Sequence, residues 1–224
     1  MTSDASDDLN PEPGPVAPAD VAVRKRPKPG ERRVQILQTL AGMLEQPAGE
    51  RITTAALAAR LGVSEAALYR HFASKAQMFE GLIDFIEQSV FTLVNQIIAR
   101  EDAADGDAGN RGTRQCLRIV LMLVQFAEKN PGMARVMVGD ALVFENERLQ
   151  QRMNQFFDKI EASLRQCLRD GATCESTDTP TLDAQVRAAV LAAFVMGRLQ
   201  RFVRSGFRQH ASDHLEAALQ LILK

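Results

Sequence analysis

The sequence predicts an all-α protein with a small N-terminal helical domain followed by a larger helical domain. Apolar residues recur at helical spacing in the segments after residue 30, and no stretch alternates convincingly between apolar and polar residues. The composition, with 46% hydrophobic and 25% charged residues, is ordinary for a soluble protein. These observations favour a packed helical fold over a sheet or a fibrous chain.

The sequence shows no signal for a membrane or for secretion. No apolar run approaches the roughly 18 residues that a membrane span requires. The N-terminus lacks a basic start followed by an apolar stretch, which a secretory signal would show. We therefore expect a cytoplasmic location and no membrane partner.

Residues 1–30 predict a disordered tail. The segment holds five acidic residues and no base before residue 24, and it is rich in proline with few large apolar side chains. Such a composition cannot bury a core. A basic arm, Arg24-Lys25-Arg26-Pro27-Lys28, ends the tail. Residues 31–76 then form the predicted small domain and residues 77–224 the larger one.

Helical segments are predicted in order along the chain. The first covers residues 31–46 and is ended by Pro47 and Gly49. Two short helices follow, and Ser74 is expected to cap a long helix that reaches about residue 100. A loop is expected over 101–112, and further helices over about 113–129, within 133–144, and over 145–171, 181–205 and 212–224.

The two short helices predict a helix-turn-helix motif. Thr53 is a good N-cap for the first of them, because its hydroxyl can accept a bond from a free backbone N–H. Gly62 can supply the positive φ that a sharp turn needs, and Ser64 can cap the second helix. Leu68 and Phe72, four residues apart, form the inner face of the second helix. In such motifs the second helix lies in the major groove of DNA.

The residues expected to contact DNA lie on the outer surface of this motif. The start of the second helix should face base edges, whereas later residues should contact the backbone. Lys75, in the first turn of the long helix, is expected to share a phosphate with free N–H groups there. The expected DNA-binding residues are Thr53, Thr54, Ser64, Glu65, Ala66, Ala67, Tyr69, Arg70, His71 and Lys75. For single residues a structural role stays open: Tyr69 as half-buried packing and His71 as an ordinary surface group.

Charge is distributed unevenly in a way that agrees with DNA binding. The net charge is −1, yet residues 24–79 carry ten bases and four acids. A basic segment on a nearly neutral protein indicates a polyanion partner, and a merely solvated basic face is the alternative.

Small residues in the last long helix predict a dimer interface. Ala189, Ala193 and Gly197 would let a neighbouring helix approach closely, and Phe202 would fill the seam. Paired with the last helix and its symmetry mate, this face would form a four-helix interface. Internal packing within one chain is the alternative. A dimer is also what a helix-turn-helix protein needs to reach two half-sites about 34 Å apart.

No catalytic, cofactor or metal site is predicted. The sequence shows no catalytic triad pattern, no phosphate-binding glycine loop and no metal cluster, and its three histidines leave few general bases. Cys116, Cys167 and Cys174 lack C-x-x-C spacing and are expected to be buried free thiols. His210 and His214 are four apart, but a solvated helix end is the expected interpretation.

The motif resembles the DNA-binding domain of TetR-family regulators through "ITTAALAARLGVSEAALYRHFASKAQMF" (residues 52–79). A second block, "EKNPGMARVMVGDALVFENERLQQRMNQFFDKIEASLRQCLR" (residues 128–169), resembles the nucleoid occlusion factors within that family. The resemblance implies a three-helix DNA-binding domain that the fourth helix joins to an all-helical dimerisation domain.

The resemblance also implies a function. It implies dimers that bind palindromic sites on the nucleoid, contact the C-terminal tail of the division protein FtsZ and block division-ring assembly there. The tail would lie between the fourth and fifth helices, at positions matching Phe85, Lys129 and Asn130. A ligand-responsive transcriptional repressor is the alternative, although the lack of Tyr and Trp in residues 80–224 mildly favours a filled core over a ligand cavity.

Overall fold

The computed structural model describes residues 30–46, 52–103, 110–171 and 180–223. In these ranges the chain is helical and contains no strand, which confirms the predicted all-α class. The predicted tail up to residue 29, residues 104–109 of the predicted 101–112 loop and Cys174 lie outside the described residues. The helices are α1 (Glu31–Leu44), α2 (Thr54–Leu61), α3 (Glu65–Tyr69), α4 (Lys75–Asp102), α5 (Arg111–Lys129), α6 (Pro131–Met137), α7 (Glu147–Gly171), α8 (Pro180–Arg204) and α9 (Leu215–Ile222).

Helices α1 to α3 pack around a small apolar core at the N-terminal end of α4. Ile36 and Leu40 of α1 meet Leu57 of α2 and Leu68 of α3, all at most 1% exposed. Phe72, in the turn after α3, is equally buried. The five-residue helix α3 is therefore held by its inward apolar side chains, because a helix this short is not stable alone.

Helix α4 connects this group to the larger domain. It runs antiparallel to α5, and the pair packs on α7, which in turn packs on α8. Its apolar residues Phe79, Leu82, Ile86 and Val90 are buried in the continuous core. Of the described helices, α4 alone is long and apolar enough to span a membrane by length and composition, a test that core helices also pass.

Ion pairs fix α4 against α7 and α5. Arg148 pairs with Glu80, Lys159 pairs with Glu87, and Arg152 reaches Asp84 at 2.7 Å. The hydrogen bond that Arg152 donates to the Asp84 carboxylate raises the pKa of its guanidinium. At the other end of α4, Glu101 is buried and pairs with Arg114 and Arg118 of α5. The two Glu101 pairs bring the end of α4 to the start of α5, so the two helices run antiparallel.

Several predicted boundaries shift in the structure. Glu101 and Asp102 were expected in a loop, but they end α4, since the arginines of α5 neutralise Glu101 there. Pro131 was expected only to stop α5, yet it also begins α6, where its missing N–H costs no helical bond. His210 and His214 do not share a helix, because turns occupy the chain before α9. Cys116 and Cys167 are buried free thiols, as predicted.

Helix α6 holds α1 at close range. A Cβ built on Gly132 would overlap the backbone carbonyl of Ala41 in α1. Arg135 of α6 donates from Nη1 to the carbonyls of Leu44 and Gln46, at 3.1 and 3.3 Å, where α1 ends. These bonds satisfy carbonyls that a helix terminus leaves without intrahelical partners. The N-terminal helices are therefore attached to the larger domain through α6 as well as α4.

The Gly132→Ala variant should lose about 1–3 kcal/mol in the free energy of unfolding, because α1 must move away from the added methyl group. Gly42→Ala is the matched control, since a Cβ at Gly42 in α1 meets no atom within 4 Å. That control should gain about 0.5–1 kcal/mol from helix propensity. Urea unfolding at one protein concentration measures both variants, and equal effects from the two would contradict this account of the α1–α6 contact.

Candidate nucleic-acid interface

The turn between α2 and α3 has the local geometry that its residues predict. The Thr53 hydroxyl accepts a hydrogen bond from the Ala56 N–H at 3.1 Å. The Ser64 hydroxyl does the same for the Ala67 N–H at 3.3 Å. Gly62 lies between them with φ of 65°, in the left-handed region that favours glycine. Since capping uses only the acceptor side of each hydroxyl, both keep an O–H that can donate to a phosphate.

Helix α3 presents a small, polar outer surface. Ser64, Glu65 and Ala66 are exposed and Ala67 is half-buried, whereas Leu68 is anchored in the core. Alanine side chains let a helix backbone approach base edges closely and can contact thymine methyl groups. This surface is the part of the motif that can enter a major groove.

A hydrogen-bond chain connects α2 with both ends of α3. The Thr54 hydroxyl donates to the Glu65 carboxylate at 2.6 Å. The Tyr69 hydroxyl lies 3.5 Å from the Thr54 hydroxyl and donates to it. Tyr69 itself is 45% exposed, so its ring is not part of the core. The structure thus brings together three of the predicted DNA-binding residues and fixes their mutual positions.

Arg70 and His71 follow α3 and are both exposed. Arg33 of α1, which sequence reasoning missed, holds this region from behind. Its Nη1 donates to the His71 carbonyl at 2.8 Å, and its guanidinium lies 4.1 Å from the centre of the Phe72 ring. Arg33 carried no distinguishing signal, because it is 38 residues away from His71 in the chain.

Lys75 differs from the expectation of an ammonium available to phosphate. Ser74 caps α4 as predicted, accepting from the Gln77 N–H at 3.1 Å. The Lys75 ammonium, however, pairs with Glu145 at 2.5 Å, and its side chain is only 22% exposed. Any phosphate contact by Lys75 must therefore compete with this carboxylate.

Helix α8 carries an exposed face of small and apolar residues. Ala189, Ala193 and Gly197 are exposed, and a Cβ at Gly197 would meet no atom within 4 Å. Val186 and Val190 on the same side are about half exposed. We name this set of five residues the α8 face. An exposed apolar stripe of this kind along one side of a helix is typical of an interface.

Phe202 was wrongly placed in that interface. It is 2% exposed and packs inside its own chain, with its ring 5.2 Å from the ring of Phe207. Phe207 reaches back because its φ is 65°, in the turn that follows α8. Phe202 therefore belongs to the core of one protomer.

The predicted partner-binding residues lie along α4 and at the end of α5. Phe85 is half-buried and packs against the core, so only part of its ring is open to a partner. Lys129 is exposed in the last turn of α5. Asn130 joins α5 to α6, and its side-chain amide donates to the Phe126 carbonyl at 2.7 Å. Phe85 lies as many residues before Glu101 as Asn130 lies after Arg114. Because Glu101 pairs with Arg114 and the two helices are antiparallel, Phe85 lies at about the same height along the helix pair as Lys129 and Asn130.

Among the described residues, no group of His, Cys, Asp and Glu is arranged to hold a metal ion.

Comparison with known sequences identifies both domains. Residues 36–82 match the family of bacterial regulatory proteins, tetR family, and residues 113–224 match the SlmA-like, tetracyclin repressor-like C-terminal domain. The chain is 51% identical over 197 residues to the nucleoid occlusion factor SlmA of Photobacterium profundum, covering 87% of this chain and 95% of that protein. It is 45% identical over 203 residues to SlmA of Colwellia psychrerythraea, covering 91% and 98%.

Solved structures show the same fold at low sequence identity. The transcriptional regulator FadR from Bacillus subtilis, solved in complex with stearoyl-CoA, superposes with a TM-score of 0.67 at 13% identity. That match covers 85% of this chain and 97% of FadR. At this identity the likeness concerns the fold alone.

Proposed function

The chain belongs to the SlmA family of nucleoid occlusion factors, within the TetR family, and from this premise we propose that it binds palindromic chromosomal sites as a homodimer and, on DNA, contacts FtsZ and blocks division-ring assembly over the nucleoid. The identity of about half over nearly the whole length of both proteins is the observation that carries the proposal. On this account the protein acts by binding and not by catalysis, in the cytoplasm on the nucleoid.

DNA recognition is assigned to α3 and its supports. The capped turn and the Thr54–Glu65–Tyr69 chain hold the outer face of α3 in one geometry before DNA arrives. Positions held in this way require less ordering on binding, which favours affinity. Because the face offers few long donors, much of the sequence choice is expected from DNA shape and deformability.

Dimerisation is assigned to the α8 face. A second copy of the chain would bury the exposed valines of this face, and the small residues allow the two helices to approach closely. A two-fold axis there presents two α3 helices, which is the arrangement that a palindrome requires.

The FtsZ tail is assigned to the groove beside α4 and α5. Half-buried Phe85 and exposed Leu93 lie on one face of α4, and half-buried Met122 and Phe126 lie on one face of α5. Lys129 adds a positive charge at one end of α5. Apolar positions next to a cation suit a short peptide with apolar and acidic side chains.

Selection of DNA from a random pool by the full chain tests the DNA half of this proposal. The expected outcome is enrichment of a palindrome bound by one dimer, with a specific affinity that exceeds the non-specific one by at least about a thousandfold at physiological salt. Enrichment of no common sequence, or of a single half-site bound by a monomer, would contradict it.

A further inference from the structure

An ion pair joins the start of α4 to a segment of the larger domain. The Lys75 ammonium lies 2.5 Å from the Glu145 carboxylate, and among the described residues it is the one cation within ion-pair distance of Glu145. The Glu145 side chain is 10% exposed. Glu145 belongs to the 139–146 segment, which includes the 3₁₀ turn Asp140–Leu142.

The same segment is tied to the N-terminal helices a second time. Asp140 accepts from Arg135 at 2.6 Å, and Arg135 donates to the carbonyls at the end of α1. Inside the segment, the Glu145 N–H donates to the Leu142 carbonyl at 3.0 Å. The 139–146 segment is thus linked to the end of α1, through Arg135, and to the first turn of α4, through Lys75.

Lys75 lies at a position where a DNA phosphate would also bind its ammonium. It is the first residue of α4, behind the Ser74 cap and six residues after Tyr69 at the end of α3. Phosphates that flank an inserted recognition helix attract cations and helix N-termini at such positions. One ammonium cannot bind a buried carboxylate and a phosphate at full strength at the same time. Its three N–H groups diverge from one nitrogen, so only some of them can point at either anion.

We propose that Glu145 competes with a DNA phosphate for Lys75, so that DNA binding breaks the contact between α4 and the 139–146 segment. The inference rests on the proposed DNA binding by α3 and adds a group that regulates it. A carboxylate left unpaired while nearly buried is strongly unfavourable, so Glu145 must turn toward water when Lys75 leaves. The segment then moves, and it carries Val143 and Phe144, which are 68% and 75% exposed. Glu145 is a positioning residue, since it acts on DNA only through Lys75.

Salt-dependent DNA binding by the full-length Glu145→Gln variant tests this inference. Removing the competitor should tighten binding to specific and non-specific duplexes alike, by about three- to tenfold at low salt. The slope of log K against log salt should stay near that of the wild type, because Lys75 neutralises the same phosphate in both complexes. Lys75→Ala should weaken binding to both kinds of DNA, and adding Glu145→Gln to it should change nothing more.

Glu80→Gln is the matched control. Like Glu145→Gln, it removes one negative charge close to Lys75, since Glu80 lies only five residues after Lys75 on α4. Glu80, however, pairs with Arg148 and not with Lys75. A gain shared equally by Glu80→Gln and Glu145→Gln would be a general effect of net charge and would overturn the inference, as would an affinity of Glu145→Gln equal to that of the wild type at low salt. If the wild-type chain binds no DNA, the proposed function and this inference fall together.

A fluorescent reporter tests the movement without altering the ion pair. The chain has no tryptophan, so Phe144→Trp places a single indole on the exposed part of the segment. DNA should shift its emission in the otherwise wild-type chain, and should shift it much less when Glu145→Gln is added, because the segment is then already released. An unchanged emission maximum in the first protein would overturn the inference even if Glu145→Gln folds poorly. Equal shifts in the two folded proteins would overturn it as well.

Discussion

Ala193→Glu is expected to convert the protein into a monomer and to weaken binding to a palindromic site by at least about a hundredfold. Ala193 lies in the middle of the α8 face, between Val190 and Gly197, and is exposed in the single chain. In a symmetric dimer each change occurs twice across the axis. Two carboxylates would then be buried without partners, at several kcal/mol each.

Gln155→Glu provides the control for this change. Gln155 is exposed on α7, a different helix from the α8 face, and receives the same added charge. Analytical ultracentrifugation gives the mass of each variant, and fluorescence anisotropy gives its affinity for DNA. A dimeric Ala193→Glu protein with wild-type affinity would remove α8 from the interface.

Lys129→Glu is expected to weaken the FtsZ tail peptide by about 1–2 kcal/mol, or roughly 5- to 30-fold, while DNA affinity and dimerisation stay near those of the wild type. Lys129 is exposed at the end of α5, so its reversal leaves the core intact. The loss follows from replacing an attraction to an acidic peptide by repulsion in a partly desolvated groove.

Arg169→Glu is the matched variant for Lys129→Glu. Arg169 is also exposed and also lies in the last turn of its helix, α7, so both changes place a negative charge near a helix C-terminus. Anisotropy with a labelled FtsZ tail should separate the two variants. Equal peptide affinity for both would exclude the α5 end from the groove.

The local parts of the interface could be predicted from the sequence. Thr53, Gly62 and Ser64 act on backbone groups within a few residues of themselves, and their side chains or conformational freedom specify those contacts directly. All three adopt the predicted roles. The helical segments were equally predictable, since their apolar periodicity matches the faces that are buried.

The remaining features depend on contacts between distant residues. Lys75 and Glu145 are 70 residues apart, and nothing near either one indicates the pair. Glu101 resembles part of a polar loop until two arginines of α5 are brought against it. Phe202 lies on the same helix as the α8 face, but only the turn that returns Phe207 shows which way its ring points. Long-range packing thus determines the contacts of those residues whose positions the sequence patterns could not predict.

Co-sedimentation of assembled FtsZ tests the central claim most directly. The full-length protein is added to FtsZ polymers together with the selected palindrome or with a scrambled duplex of equal length. A nucleoid occlusion factor that acts on DNA should reduce the pelleted FtsZ with the palindrome and leave it nearly unchanged with the scrambled duplex. An unchanged pellet with the palindrome, at protein concentrations that saturate the DNA, would contradict the account.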